Sequence, residues 1–181
     1  GTPLLVTTAN GSSAVGTYPI TAALGDLASN NYNFVFVNGT LTVTKATVTV
    51  TADNKSRAYG ASNPVLTYSY SGFVNGETIT SSDITGSPSL VTTANGSSAV
   101  GTYPITIYGN TLSSNNYSFS FVNGVMSVEK AVLTVTADNK SKTYGAANPA
   151  FTYTLSGFAY GETLATSGVT GSAAFTTSAT A

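Results

Sequence analysis

The chain has 181 residues, a formal net charge of −1, and Asp, Glu, Lys or Arg at only 7% of positions, where an average soluble domain has about 25%. Cys and His are both absent, which excludes disulfide staples, Ser-His-Asp and Cys-His nucleophiles, and the usual zinc and copper ligand sets. The weak charge also excludes a basic field for nucleic acid and a polybasic membrane patch. Hydrophobic residues still make up 41% of the chain, with 11 Tyr and 8 Phe. That is enough for packed cores, and the chain lacks the charge of an expanded coil. No apolar run is long enough for a membrane-spanning helix, and no signal-peptide pattern is present. The opening Gly1-Thr2-Pro3, without an initiator Met, carries the expectation of a fragment or a processed polypeptide.

Self-similarity organises the sequence. LVTTANGSSAVGTYPIT at 5–21 returns letter for letter at 90–106, TVTADNKS at 49–56 returns at 134–141, and NNYNFVFVNG at 30–39 returns as NNYSFSFVNG at 115–124. All three give an offset of 85 residues, at which about 60% of the 96 overlapping positions are identical. One register held across the whole overlap is the signature of tandem structural repeats. Natural seams fall at Lys45-Ala46 and Lys130-Ala131. This phasing predicts the C-terminal half of a repeat at 1–45, a complete repeat at 46–130 and the N-terminal part of the next at 131–181. It also predicts exposed apolar strand faces on the two incomplete segments, as in a window cut from a longer polymer.

The first predicted element in chain order is a hairpin ending at Lys45. Asn38-Gly39 lies between two alternating runs, and Asn-Gly is the strongest short hairpin signal because a type I′ turn needs positive φ at both central residues. In that register Phe36 faces Leu41 and Phe34 faces Val43. The next run, ATVTVTA at 46–52, points Ala46, Val48, Val50 and Ala52 inward. Thr47, Thr49 and Thr51 point outward, polar yet β-branched and so suited to a strand. Turn signals follow at Asp53–Ser56, Tyr59-Gly60 and Asn63-Pro64. Leu66, Tyr68 and Tyr70 then alternate with Thr67, Ser69 and Ser71 in another strand. Asn75-Gly76 marks a turn, 76–83 a short helical turn, and Asn95-Gly96 a further turn.

Tyr103, Ile105 and Ile107 form a strand in which Pro104 points to an edge or strand-entry position. After the turn cluster Ser113–Asn116 comes the second copy of the hairpin. Asn123-Gly124 is its predicted I′ turn, with Val122 paired to Val125, Phe121 opposite Met126 and Phe119 opposite Val128. No amphipathic helix is present. Six or seven short strands per 85 residues predict an all-β chain of small immunoglobulin-like β-sandwich repeats arranged end to end; a β-grasp-like unit is the alternative. The seam reads strand, Lys, Ala, strand, which restricts hinge motion more than a Gly/Ser or Pro-rich linker does.

TVTADNKSRAYGASNP at 49–64, TVTADNKSKTYGAANP at 134–149, SGFVNGET at 71–78, GTYPIT at 101–106 and the ending at 115–130 together resemble the MBG (mostly-beta, glycine-rich) domain family of the Tyr-Gly type. The resemblance covers essentially the whole chain. It implies tandem modules of very large secreted or surface-anchored bacterial proteins of the adhesin kind. It implies no catalytic residue, metal or cofactor. The structural signature positions in this sequence are Tyr59, Gly60, Tyr144, Gly145, Asn38, Gly39, Asn123 and Gly124.

Two acidic positions recur in both copies, Asp53 with Asp138 and Glu77 with Glu162. A glycosidase needs two carboxylates flanking one bond, and calcium needs several carboxylate oxygens. For both positions the residue pattern favours a structural role instead: an Asx-turn at Asp53-Asn54 and a cap or turn contact at Glu77. Asp26, Asp83 and Glu129 do not recur. Tyr59-Gly60 and Tyr144-Gly145 read as a glycan-stacking tyrosine or, preferably, as a tyrosine packed at a sandwich corner beside a glycine of unusual φ/ψ. Lys45 and Lys130 at the seams raise the possibility of a Lys–Asn amide cross-link, but no Lys, Asn and acid set stands out. Asn10, Asn38, Asn54, Asn95, Asn116 and Asn139 head Asn-x-Ser/Thr sequons, most of them expected from composition alone.

The leading expectation is a non-enzymatic, extracellular stalk or filament segment that acts as a spacer on a bacterial cell surface. Its partners would be neighbouring repeats or copies of itself in a fibre. The alternative is an adhesion module that binds a glycan or protein through exposed Tyr or Phe clusters.

Overall fold

The computed structural model describes residues 1–178. They form strands β1 (Leu4–Thr7), β2 (Gly16–Ala23), β3 (Gly39–Val43), β4 (Ala46–Ala52), β5 (Lys55–Ala58) and β6 (Tyr68–Ser71), then β7 (Ser89–Thr92), β8 (Gly101–Tyr108), β9 (Tyr117–Val122), β10 (Gly124–Glu129), β11 (Thr134–Ala137) and β12 (Tyr153–Ser156). The fold is all-β, as the alternation predicts, with no helix among the described residues. The segment after Asn75 makes only a single turn, in which the Ser81 and Ser82 N–H groups both donate to the Thr78 carbonyl at 3.1 and 2.9 Å.

The strands form four sheets, with orders β1-β2-β3, β6-β4-β9, β5-β10-β8-β7 and β11-β12. The first and last strands of the middle repeat pair in parallel. β4 runs beside β9 from Ala46↔Tyr117 to Thr51↔Val122. β5 runs beside β10 from Lys55↔Met126 to Ala58↔Glu129. Both ladders join residues 71 apart in sequence. Between the ladders the parallel pairing is interrupted over three positions on each side, 52–54 and 123–125, and the Asn54 Oδ1 accepts the Val125 N–H at 2.8 Å.

The chain divides into two compact units. One comprises Gly1–Asn54, Leu66–Thr92 and Pro104–Val125; the other comprises Lys55–Val65, Thr93–Tyr103 and Met126–Ala181. In the first, the buried apolar side chains are Val48, Val50, Ala52, Ile84, Ile105, Ile107 and Tyr117. In the second, Ala94, Met126 and Val128 are buried together with Arg57.

The two predicted hairpins do not form. β9 and β10 lie in different sheets, and none of Asn38, Gly39, Asn123 and Gly124 has a positive φ. Instead the Asn123 Oδ1 accepts the Ile107 N–H at 3.1 Å, and in the upstream copy the Asn38 Oδ1 accepts the Ala22 N–H at 3.1 Å. Asn-Gly here moves a strand from one sheet to the next rather than reversing it. A two-residue reversal and a change of sheet both preserve the alternation, so Tyr117, Met126 and Val128 are still buried as predicted. The consecutive positive φ values of a primed turn occur at Asn75 (56°) and Gly76 (71°), where the Glu77 N–H donates to the Val74 carbonyl at 3.0 Å.

Pro104 also differs from expectation, since β8 is an interior strand. The β7 ladder on β8 stops at Thr92↔Ile105, so the proline sits one step past it and costs no ladder bond there. Pro19 stands in the same relation to Thr7↔Ile20.

The copies of the repeat differ in structure at two places. Residues 32–37 copy β9 but form no strand, and residues 140–143 copy β5 and form none. Tyr32 is 76% exposed where Tyr117 is 2%, and Val135 is 62% exposed where Val50 is fully buried. Apolar side chains are therefore exposed on both flanking segments.

Gly124 tests the crossing. A methyl group on its Cα would lie 2.6 Å from the Ala52 carbonyl oxygen, whereas at Gly39 the nearest atom would be Ile20 Cβ at 3.7 Å. Gly124→Ala should lower the unfolding free energy by about 1–3 kcal/mol. Gly39→Ala should change it by less than about 0.5 kcal/mol. Urea unfolding of both variants checks the difference.

Candidate functional site at the repeat seam

The seam between 1–45 and the middle repeat lies within the first compact unit. β3 ends at Val43 and β4 begins at Ala46, so the two meet with almost no linker. The loop that precedes β9 receives the junction. The Ala46 N–H donates to the Asn116 carbonyl at 3.0 Å, the Val15 N–H to the Asn116 Oδ1 at 3.0 Å, and the Lys45 ammonium to the Ser114 carbonyl at 2.8 Å. Asp83 holds this loop in shape. Its carboxylate accepts the Ser114 hydroxyl, the Asn115 N–H at 2.7 Å and the Asn116 N–H at 3.2 Å. These bonds, the Ser114 hydroxyl foremost, hold the Asp83 carboxyl below the ordinary carboxylate range.

Beside this loop, the turn at Asn75-Gly76 presents Glu77. The Tyr117 hydroxyl donates to the Glu77 Oε2 at 2.6 Å and accepts the Val74 N–H at 3.3 Å. Donation to a carboxylate favours the neutral phenol, so the Tyr117 pKa is raised.

The seam between the middle repeat and 131–178 lies within the second unit and shows the other side of the same junction. The Tyr59 hydroxyl donates to the Glu162 Oε1 at 2.9 Å, which likewise raises its pKa. Its ring meets Tyr160 edge-on at 5.3 Å between centroids. Gly60 follows at φ 88°, and a methyl group there would come within 2.5 Å of the Ala159 Cβ. Both the backbone angle and the close approach demand glycine. Tyr59, Val100, Lys130, Phe158 and Glu162 line an open cleft of about 520 Å³ beside this contact. The Tyr-Gly pair of one repeat therefore seats on the SGF-x-x-GET turn of the next. The glycine has the unusual φ predicted for it, but the tyrosine packs across a seam rather than in a corner of its own sheet. Tyr144, which meets no such turn among the described residues, is fully exposed.

The other predicted residues lie elsewhere. Asp53 makes no Asx-turn. It accepts the Thr67 hydroxyl, and its N–H donates to the Thr67 carbonyl at 2.9 Å, tying the end of β4 to the approach of β6. Asp138 and Thr152 repeat this arrangement at 2.9 Å. Asp53 and Glu77 thus serve separate structural partners. Among the described residues no three of Asp, Glu, His or Cys gather as a potential metal site. Of the sequon asparagines, Asn10 and Asn95 accept the N–H of Ser12 and Ser97 at 2.9 and 3.0 Å, and Asn38, Asn54 and Asn116 accept backbone N–H groups as described above.

Two residues escaped the sequence reading. Asp83 was set aside because it does not recur. Arg57 is buried, donating Nε to the Asn63 Oδ1 at 2.7 Å, Nη1 to the Ala58 carbonyl at 3.2 Å and Nη2 to the Asn95 carbonyl. The signal for Arg57 was its place two residues ahead of the Tyr-Gly-Ala-Ser-Asn run that supplies Asn63.

A family model described as MBG domain (YGX type) matches residues 2–42, 48–127 and 133–181. No curated protein and no solved structure matches the chain.

The seam has a definite pH window. Asp83, with a lowered native pKa, contributes stability that is complete above the ordinary carboxylate value and lost as pH falls through the lowered one. Tyr59 and Tyr117, with raised native values, contribute stability that is complete below about 10 and lost as pH rises through the raised ones. Tyr117→Phe should remove about 1–2 kcal/mol, since Glu77 loses its donor and Val74 its acceptor, and should flatten the alkaline limb. Thermal melts from pH 3 to pH 12 check both effects.

Proposed function

Because the chain belongs to the MBG domain (YGX type) family, we propose that it is a spacer: a run of β-repeats that sets distance along an extracellular protein of the bacterial cell surface. The observation that carries this reading is the seat of Tyr59-Gly60 on Ala159–Glu162. The residues that define the family's signature are spent on joining one repeat to the next, which is what a spacer needs and a ligand site does not. The linker of two residues between β3 and β4 supports the same reading. So does the use of Lys45 and Asn116 for contacts at the junction. Stability in such an array is the sum of repeat and interface terms, so weakening the seam should leave each repeat folded and free the hinge.

The adhesion reading needs an aromatic cluster free to stack on a sugar, and the signature tyrosine Tyr59 is already held by Glu162 and Tyr160. The work assigned to the chain is mechanical rather than catalytic.

Small-angle scattering from a chain of several repeats tests the proposal. A rod whose length grows linearly with repeat number is expected, and a compact globule overturns it. Gly60→Val, placed at every equivalent position, should shorten the mean end-to-end distance without melting the repeats, as read by scattering and circular dichroism together.

A further inference from the structure

When the chain is drawn out, tension enters the middle repeat at Ala46 and leaves it at Glu129. These residues begin β4 and end β10, and both strands take part in the parallel ladders of the repeat. In the β4·β9 ladder, β4 is pulled at its N-terminal end, at Ala46, and β9 at its C-terminal end, through Val122. In the β5·β10 ladder, β5 is held at its N-terminal end, at Lys55, and β10 is pulled at its C-terminal end, at Glu129. The start of one strand and the end of its parallel neighbour lie at opposite ends of their ladder. Each ladder is therefore loaded along its length. An antiparallel pair of first and last strands would be loaded at a single end and would open one bond at a time.

The points where load arrives are tied across the ladders. At the start of β4 the Ala46 N–H donates to the Asn116 carbonyl at 3.0 Å, and the Ser118 hydroxyl donates to the Ala46 carbonyl at 3.2 Å. The Thr47 and Ser118 hydroxyls add a bond of 3.1 Å across the same pair of strands. At the end of β10 the Glu129 carbonyl accepts the Tyr59 N–H at 2.7 Å. Val48 and Val50 on β4, and Met126 on β10, are fully buried. Their side chains keep water from the neighbouring bonds, so no solvent partner stands ready to replace a bond as it stretches.

We propose that the parallel pairing of β4 with β9, and of β5 with β10, is a force-bearing clamp through which the repeat resists tension along the chain. Six residue pairs share the load in the first ladder and four in the second. Under a lengthwise pull the bonds of a ladder must fail together. Under a pull across one end they fail in turn, and the force needed is only that of the end pair. Forced unfolding follows the barrier to unfolding rather than the equilibrium stability. The direction of pull therefore sets the resistance while the contacts and the stability stay the same. The purpose of the clamp rests on the spacer reading, since a load of this kind reaches only a repeat held in series; its strength is a property of the fold.

Single-molecule stretching of the whole chain tests it. The sequence has no cysteine, so a pair of introduced cysteines fixes the two points of attachment. Thr44→Cys with Lys130→Cys loads the ladders lengthwise. Thr44→Cys with Asn115→Cys loads the β4·β9 ladder at the one end where Ala46 meets Tyr117. All three substitutions fall on exposed residues, and equal circular dichroism and Tm verify that the two variants share one fold and one stability. The first pair should need several times the force of the second at the same loading rate. Its rupture should release roughly 300 Å of contour, the extended length of the 86 residues between the attachment points. Equal forces in the two geometries, or a weaker first pair, overturn the clamp and leave the spacer reading to be decided by scattering. A compact globule in scattering, with the force difference intact, overturns the spacer and leaves the clamp standing.

Discussion

Everything in the middle repeat depends on one pairing, the parallel contact between its first and last strands, which lie 71 residues apart. Closing a loop of that length costs about 4 kcal/mol of chain entropy beyond a constant. Burying a Val or Met side chain returns about 1.5–3 kcal/mol as an upper bound. Val48, Val50, Met126 and Val128 are almost wholly buried in strands of these two ladders. The pairing is therefore favourable only when both ladders form with their apolar residues in phase. The equal count of residues between the ladders on both chains keeps that phase, and Gly124 lets the chains pass closely at the crossing.

The duplicated sequence supplies its own control for this dependence. YNFVFV at 32–37 has nearly the β-propensity of YSFSFV at 117–122, and it lies in the same covalent context of Asn-Asn before and Asn-Gly after. One is a strand with a buried tyrosine and the other is no strand at all. Propensity is thus a permission rather than a cause here, as expected where a strand is stabilised mainly by its cross-strand neighbours. The seam contacts follow the same logic. Tyr59 has a turn to seat on and is half-buried; Tyr144, in the same motif, has none among the described residues and is fully exposed.

The legible part of the fold was the part encoded at short range. Alternation in ATVTVTA fixed both the strand and its inward face at 46–52, and the glycine after Tyr59 announced a positive φ that is present. The repeat period was legible because it requires only self-comparison. What was not legible was which strands pair. Asn123-Gly124 carries a strong local hairpin signal, and two long-range parallel ladders overrule it. The Asn123 amide is then used to cap Ile107 rather than to support a turn. Asn75-Gly76, with the same two letters, does adopt the positive φ pair, because no competing ladder extends through it. The candidate site was legible as a motif and illegible as a contact. Tyr59 and Glu162 are far apart in sequence and belong to different repeats, and no pattern within one period joins them.

The scarcity of charge, which first looked like a deficit, fits the chemistry of the seam. Its bonds join one carboxylate to a phenol, another to a hydroxyl and two amide N–H groups, and asparagine side chains to backbone N–H groups. Each has at most one ionised partner, so screening by salt weakens them far less than it weakens an exposed ion pair. The two seams also show complementary halves of one arrangement. Glu77 takes the tyrosine of its own repeat's β9, and Glu162 takes the Tyr-Gly tyrosine of the repeat before it. A carboxylate has two oxygens and room for both donors. Closure of a repeat and its attachment to the next then use the same glutamate position of the repeat, at Glu77 in one case and Glu162 in the other.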